Sequence, residues 1–202
     1  MQLKNGNFQH VIVPGRYGHW KDNEDRQFII TDISNYEIDP GIDRTILSRP
    51  NFESHIRRFN VEAWKKGLLF VNNRFEKMLE PGNCIFRKNT TPLDVVKVDT
   101  RQLQLEVADQ EILAADKTVL KVTFFCQYKI NDILKAVIDI KDYQEQLNVM
   151  MQLEFRKYPG GLSLDQILEK KQEVGSFVTE KLRESCAGLG LTLINSGYHI
   201  AG

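Results

Sequence analysis

The chain has 202 residues and carries 27 basic residues (lysine and arginine) against 27 acidic ones. This balance argues against a dedicated nucleic-acid-binding protein, which would carry a basic excess. The hydrophobic fraction of 42% and the charged fraction of 27% are those of a globular protein and exclude a disordered one. No apolar run reaches the roughly 18–20 residues that a membrane-spanning helix needs.

An internal repeat occupies the first half of the chain, at an offset of 67 residues. The matches fall on turn residues and on an aspartate that closes a strand: Asn5 on Asn72, Phe8 on Phe75, Pro14-Gly15 on Pro81-Gly82, Lys21 on Lys88 and Asp32 on Asp99. Asn and Gly tolerate positive φ, so each copy is predicted to begin with a tight β-hairpin. The first copy has only four residues before its turn, and we expect the sequence to be a fragment of a longer protein. The alternative is a short native edge strand.

A polar connection is predicted over residues 40–60, with one short helical turn. A half-buried strand is predicted at residues 102–107, followed by a second short apolar segment at residues 110–114, and a long strand is predicted at residues 118–129. In that long strand one face is more apolar than the other and is assigned to the core. The core-facing side chains are Leu120, Val122, Phe124, Cys126 and Tyr128.

Helices are predicted from Asn131 onwards, because the apolar spacing there changes from two to about 3.6 residues. Asn131 and Asp132 cap a short helix that is predicted to end at Val137, and Asp142 opens a longer one that ends before Pro159-Gly160-Gly161. The predicted apolar stripe of that helix is Tyr143, Leu147, Met150, Met151, Phe155 and Tyr158. The methionine pair could mark an adaptable binding surface, but its helical spacing favours the core.

The last helical run starts with a capping box, because Ser163 is followed three residues later by Gln166. Its predicted apolar stripe consists of Leu164, Ile167, Leu168, Val174, Val178 and Leu182. Gly188 and Gly190 end the run, and residues 191–200 alternate as a final strand.

No arrangement of residues predicts catalysis, a cofactor or a metal. The histidines His10, His19, His55 and His199 have no partner at metal-ligand spacing. Acidic pairs such as Asp22/Glu24 and Glu169/Glu173 lie on polar faces, where solvated charges are expected. His19-Trp20 is interpreted as packing beside a turn. The cysteines Cys84, Cys126 and Cys186 are odd in number and far apart, so we expect reduced, packed thiols in a reducing compartment.

Several motifs together resemble the SPFH/band 7 (stomatin/prohibitin) family, over residues 60–202, and most resemble its slipin-like bacterial branch. They are the strand at 67–71, the turn Pro81-Gly82, the strand end Val98-Asp99-Thr100-Arg101, the segment 110–116, the helix start Leu162-Ser163-Leu164-Asp165 and the pair Gly190-Leu191. The resemblance implies an α+β fold. A curved antiparallel sheet would be followed by helices on a smaller sheet, with a small repeated β unit in front. We expect domains at residues 1–58, a partial repeat unit, and 59–202, the SPFH domain.

The resemblance also implies a non-catalytic scaffold. Family members form large oligomers, organise membrane patches and regulate membrane proteins, among them proteases of the NfeD type. We therefore expect self-association, NfeD-type or similar partners, peripheral membrane contact as a further option, and a cytoplasmic location. The alternative is a lipid- or small-ligand-binding module that uses the concave face of the sheet. The residues of this sequence differ from the family pattern because they include neither its N-terminal membrane hairpin nor its C-terminal coiled coil; if the sequence is a fragment, as expected above, both lie outside it.

Overall fold

The computed structural model describes residues 1–5, 7–12, 15–18, 25–157 and 161–201. The chain forms two compact units, residues 1–97 and residues 98–202. The α+β class predicted from the sequence is confirmed, since antiparallel sheets and helices both occur. The expected division after residue 58 stays a prediction.

The first unit is built mainly of short antiparallel strands. These are β1 (Gln2–Lys4), β2 (Asn7–His10), β3 (Arg26–Phe28), β4 (Ile56–Val61), β5 (Lys65–Val71), β6 (Arg74–Leu79), β7 (Gly82–Arg87) and β8 (Leu93–Asp99), of which the last crosses the boundary. A one-turn helix α1 (Arg44–Leu47) and a 3₁₀ turn (Pro50–Phe52) lie between β3 and β4. The strands form three small sheets with the orders β2-β1-β3, β4-β7 and β6-β5-β8.

The internal repeat is present in the backbone. In both copies the first strand of a hairpin lies in the middle of a three-stranded sheet. The Asn5 amide donates to the Asp25 carbonyl at 2.7 Å, and 67 residues later the Asn72 amide donates to the Pro92 carbonyl at 3.1 Å. Asn5, Asn72 and Asn73 have φ values of 48°, 51° and 62°. These positive values confirm the predicted hairpin turns, although Gly6 lies outside the described residues.

The predicted connection over residues 40–60 is wrong at its end, because Ile56–Val61 forms strand β4. The buried residues of β4 are Ile56 and Val61, which do not alternate. Its strand conformation depends on antiparallel pairing with β7, where Phe59 lies opposite Cys84. Such a partner is distant in sequence, so the local pattern does not reveal it.

In the second unit, helices pack on one face of a three-stranded antiparallel sheet with the order β11-β10-β9. Its elements are β9 (Leu103–Leu113), β10 (Val119–Ile130), a π-helical segment (Lys135–Asp139), α2 (Tyr143–Lys157), α3 (Leu164–Glu169), α4 (Lys171–Gly188) and β11 (Leu191–Ala201). The predicted core face of β10 is confirmed, because each of its five predicted side chains is buried.

Strand β9 is one continuous strand, so the predicted division between a strand at 102–107 and a separate apolar segment at 110–114 was wrong. A β-bulge interrupts its pairing with β10, which jumps from Gln110 opposite Val122 to Val107 opposite Phe124. Asp109 in the bulge has a φ of 51°, and its amide donates to the Thr123 hydroxyl at 3.3 Å. The extra residues break the alternation that marks a strand in sequence.

The predicted helix starts are confirmed by their capping bonds. The Asp132 carboxylate accepts from the Lys135 amide at 3.1 Å, and the Asp142 carboxylate accepts from the Glu145 amide at 3.0 Å. Ser163 and Gln166 form both bonds of the capping box. The short helix continues to Asp139 as a π-helical segment, beyond its predicted end.

Two predicted helical stripes differ in part from the structure. In α2 the side chains of Leu147, Met151 and Phe155 are buried, whereas Met150 is half-buried and Tyr158 lies outside the described residues. In the last run Ile167, Val174, Val178 and Leu182 are buried, but Leu168 is 52% exposed. Leu168 was assigned wrongly because the helix breaks at Lys170, with φ −95° and ψ 22°, and the stripe is rotated there.

The turn between α4 and β11 depends on a glycine, as predicted. Gly190 has a φ of 74°. Its carbonyl accepts the amides of Asn131 and Asp132 at 3.1 and 3.0 Å, which ties this turn to the end of β10. A Cβ atom at Gly190 would lie 2.7 Å from the Asp132 carbonyl oxygen, so only glycine fits.

Candidate functional site

The core between the sheet and the helices of the second unit is aromatic and tightly filled. The ring centroids of Phe124 and Phe155 are 4.0 Å apart, and those of Phe155 and Tyr198 are 4.8 Å apart. A cavity between these rings and α4 has a volume of about 10 Å³. This volume is close to the minimum that one water molecule requires. The cavity is therefore a packing gap and has no room for a substrate.

The ionisable groups in this core are held in their neutral forms. Burial raises the pKa of the Cys126 thiol to about 12 and that of the Cys186 thiol to about 11. Burial also raises the pKa of the Tyr128 phenol to about 12, although the Gln144 amide donates to its oxygen at 3.3 Å. A general acid or base works best with a pKa near the working pH. These groups are therefore structural, and the expected packed thiols are confirmed for Cys126 and Cys186, which are buried, while Cys84 is half-buried.

The Val98-Asp99-Thr100-Arg101 motif closes the end of β8 through an ion pair. The Arg101 guanidinium donates to both oxygens of Asp99, with its Nη2 at 2.6 Å from Oδ2 and its Nε at 3.0 Å from Oδ1. The Arg101 amide also donates to Asp99 at 2.9 Å. The Asp99 carboxylate thus stabilises a backbone turn and also pairs with the Arg101 guanidinium. The motif therefore has a structural role at the start of the second unit.

Asp116 ties the β9–β10 turn to the start of α3. Its carboxylate accepts the Thr118 amide at 3.0 Å and the Leu164 amide at 3.1 Å. The backbone reinforces this link, because the Ala115 amide donates to the Leu162 carbonyl at 2.9 Å. These amide donors lower the pKa of the Asp116 carboxyl. The motif at residues 110–116 and the Leu-Ser-Leu-Asp helix start therefore meet in space.

Of the residues considered for chemistry, those that the structure describes are not brought together. His10, His55 and His199 are exposed and lie on different strands or loops, and Glu169 and Glu173 are exposed. His19, Trp20, Asp22 and Glu24 lie outside the described residues. Among the residues that the structure describes, no group of three or more His, Cys, Asp or Glu side chains could hold a metal ion.

A polar groove runs between α4 and strand β11. It has a volume of about 630 Å³ and opens broadly to solvent. Six residues of one α4 face line it together with Ser196 of β11; they are Gln172, Gly175, Ser176, Thr179, Glu180 and Arg183. Within this lining the Thr179 and Ser196 hydroxyl oxygens are 2.7 Å apart. The sequence did not reveal this site, because the stripe 172–183 reads as an ordinary solvated helix face.

The model of the SPFH domain / Band 7 family matches residues 59–196. That match covers more than half of the chain. The chain belongs to the SPFH/Band 7 family. The match begins within β4 and ends at Ser196 in β11, so it includes the second repeat copy and nearly all of the helical unit. The slipin-like bacterial branch within the SPFH/Band 7 family stays a prediction.

Relatives of this SPFH/Band 7 chain occur in archaea and in mammals. An uncharacterised protein of Methanocaldococcus jannaschii is 29% identical over 66% of the chain and 66% of its own length. One from Archaeoglobus fulgidus is 27% identical over 65% of the chain and 52% of its own length. Mouse stomatin is 24% identical over 48% of the chain and 34% of its own length. The chain thus spans about a third to two thirds of these relatives.

No helix in the described parts of this SPFH/Band 7 chain is both long enough and apolar enough to cross a lipid bilayer.

The β11-β10-β9 sheet has one face that points away from the helices, and this face is polar in part. On it, Gln127 accepts from Gln102 at 3.0 Å and donates to Gln104 at 3.3 Å, which gives a ladder of amide side chains.

Proposed function

We propose that this chain is a non-catalytic assembly module, which associates with copies of itself and docks partner proteins. The family match over residues 59–196 carries the proposal, because the resemblance described above implies oligomers that organise membrane-associated partners. NfeD-type membrane proteins are the partner class that the resemblance implies. A cytoplasmic location with peripheral contact to the inner face of the membrane belongs to the same proposal.

The chemistry of the second unit supports a role without catalysis. Its buried thiols and phenols are held neutral by burial, and its core cavity admits about one water molecule. The chain also has a formal net charge of zero, so little long-range repulsion opposes the approach of a second copy. A core without room for a substrate and a net charge of zero are both expected of a chain that works by binding other chains.

The alternative proposal is a lipid- or small-ligand-binding module that uses the face of the sheet. Ligand pockets are usually concave, mostly apolar and about 300–1,000 Å³ in volume. The groove beside β11 has the volume but is lined by polar side chains, and the apolar cavity is far smaller. These features favour assembly over ligand binding.

Light scattering coupled to size-exclusion chromatography tests the proposed assembly. We expect the mass of the 202-residue chain to rise with protein concentration between the micromolar and millimolar ranges, because an isolated module associates weakly. A mass of one chain throughout this range would contradict self-association. Flotation with liposomes of neutral and anionic lipids tests the alternative: the assembly proposal expects the chain to stay unbound, and flotation would favour a lipid-binding module.

A further inference from the structure

The two edges of the β11-β10-β9 sheet differ in how they are protected. Strand β9 carries Glu106, Asp109 and Glu111 and is distorted by the bulge at Asp109. Bulges and charged side chains on an edge strand discourage pairing with another strand. Edge β9 therefore has two of the usual protections.

Strand β11 has few of these protections. Its eleven residues, Leu191–Ala201, include no Asp, Glu, Lys, Arg or Pro. A bulge leaves Ile194 unmatched, but from Asn195 to Ala201 every residue pairs with β10 in one register. Among the described strands β11 pairs with β10 alone. On an edge strand, alternate N–H and C=O groups point away from the neighbouring strand and are available for pairing.

The polar groove gives a second strand access to this edge. It lies beside β11, with Ser196 among its lining residues, and is open to solvent. Strands in a sheet are about 4.8 Å apart, and the groove volume of about 630 Å³ has room for several residues of extended chain. Three of the helix residues that line it are small, and the other three have long, flexible side chains that can move aside.

We infer that β11 pairs antiparallel with β11 of a second copy of this chain, so that two three-stranded sheets join into one of six strands. This inference rests on the proposed self-association and identifies the surface that performs it. A two-fold axis near the middle of the groove brings the same α4 face of each copy together. Ser176, at the centre of the lining stripe, then lies close to Ser176 of the other copy.

The charges of the groove favour a second copy over a charged partner. The lining carries one acid, Glu180, and one base, Arg183, both exposed. Within the described residues neither forms an ion pair. The surface is therefore neutral overall and carries both signs, so an identical surface turned through 180° meets no net repulsion. A strongly acidic or basic peptide would meet no excess of opposite charge on this surface.

Hydrogen exchange combined with light scattering tests the location of the contact. Both are measured on the full 202-residue chain over the same range of concentrations. We expect the amides of residues 191–201 to exchange more slowly as the mass rises, while those of β9 keep their exchange rates. Slower exchange confined to another segment would overturn the β11 contact but leave self-association standing. A mass of one chain at all concentrations would overturn both.

A pair of opposite charges at Ser176 tests the two-fold arrangement. Ser176→Lys and Ser176→Glu are exposed helical substitutions that leave the fold unchanged. Each variant alone should dimerise about tenfold more weakly than the parent chain, because like charges meet across the axis. A mixture of the two should recover the parent affinity. The matched controls Gln146→Lys and Gln146→Glu, at an exposed position on α2, should change nothing. Equal behaviour of the mixture and of either variant alone would overturn the two-fold pairing.

Discussion

Replacing Gly190 with alanine should destabilise the second unit strongly, whereas the same change two residues earlier should not. Gly190 has a φ of 74°, where an L-residue costs about 1–2 kcal/mol. The new Cβ would also lie 2.7 Å from the Asp132 carbonyl oxygen, a main-chain atom that cannot rotate away. Overpacking of this kind costs about 1–3 kcal/mol. The expected loss is therefore about 2–5 kcal/mol.

Gly188→Ala is the matched control for this change. A Cβ at Gly188 meets no atom within 4 Å, and the residue is the last of helix α4. Alanine favours a helix over glycine by about 0.5–1 kcal/mol, so this variant should be as stable as the parent chain or slightly more stable.

The assay for both variants must report on the second unit. The two tryptophans, Trp20 and Trp64, lie in residues 1–97, so their fluorescence does not do so. Hydrogen exchange of residues 119–130 follows β10 and its pairing with β11 directly, and far-ultraviolet circular dichroism gives the Tm of the chain. For a unit of this size, a loss of 1 kcal/mol in the free energy of unfolding lowers Tm by about 4–8 °C. The Tm of the Gly190→Ala variant should therefore be lower than that of the parent chain by at least about 8 °C. Equal melting of the two variants would refute the argument from φ and contact.

Two further predictions concern titrating groups of the chain. Hydrogen bonds from two amides lower the pKa of Asp116, so its contribution to stability is present above the unfolded-state pKa and is lost as the pH falls through the lower folded-state value. Asp116→Asn should therefore unfold at lower urea concentration than the parent chain at about pH 7, and the difference should shrink at about pH 2; a difference independent of pH would contradict the assignment. A thiol reagent such as Ellman's should react in the native chain with Cys84 alone, because Cys126 and Cys186 are buried and burial raises their thiol pKa values. All three should react in denaturant, and fast native labelling of Cys126 would show that the core opens.

Elements with strong local signals were predictable from the sequence. The caps at Asp142 and Ser163, the paired asparagines at the second hairpin and the alternating face of β10 each depend on neighbours within a few residues. Where structure depends on distant partners, the prediction failed. Strand β4 depends on β7, and the bulge at Asp109 is held by Thr123 on another strand.

The candidate site was less predictable than the fold. The sequence carries no pattern that predicts catalysis, and it did not predict the groove beside β11 either. Its position follows from the strand order β11-β10-β9, which leaves the last strand of the chain at an edge. Gln172, Ser176 and Glu180 are unremarkable on a helix, and they become part of a groove only because that edge lies next to them.

We expect the repeated hairpin units at Asn5 and Asn72 to affect how the chain folds as well as its final form. During folding, a strand from one unit can meet two templates with the same turn and the same strand order, and only one of them is correct. Mispaired species of this kind would slow refolding and lower its yield. Few residues are identical between the units, so sequence divergence disfavours the wrong partner while the shared backbone plan is kept.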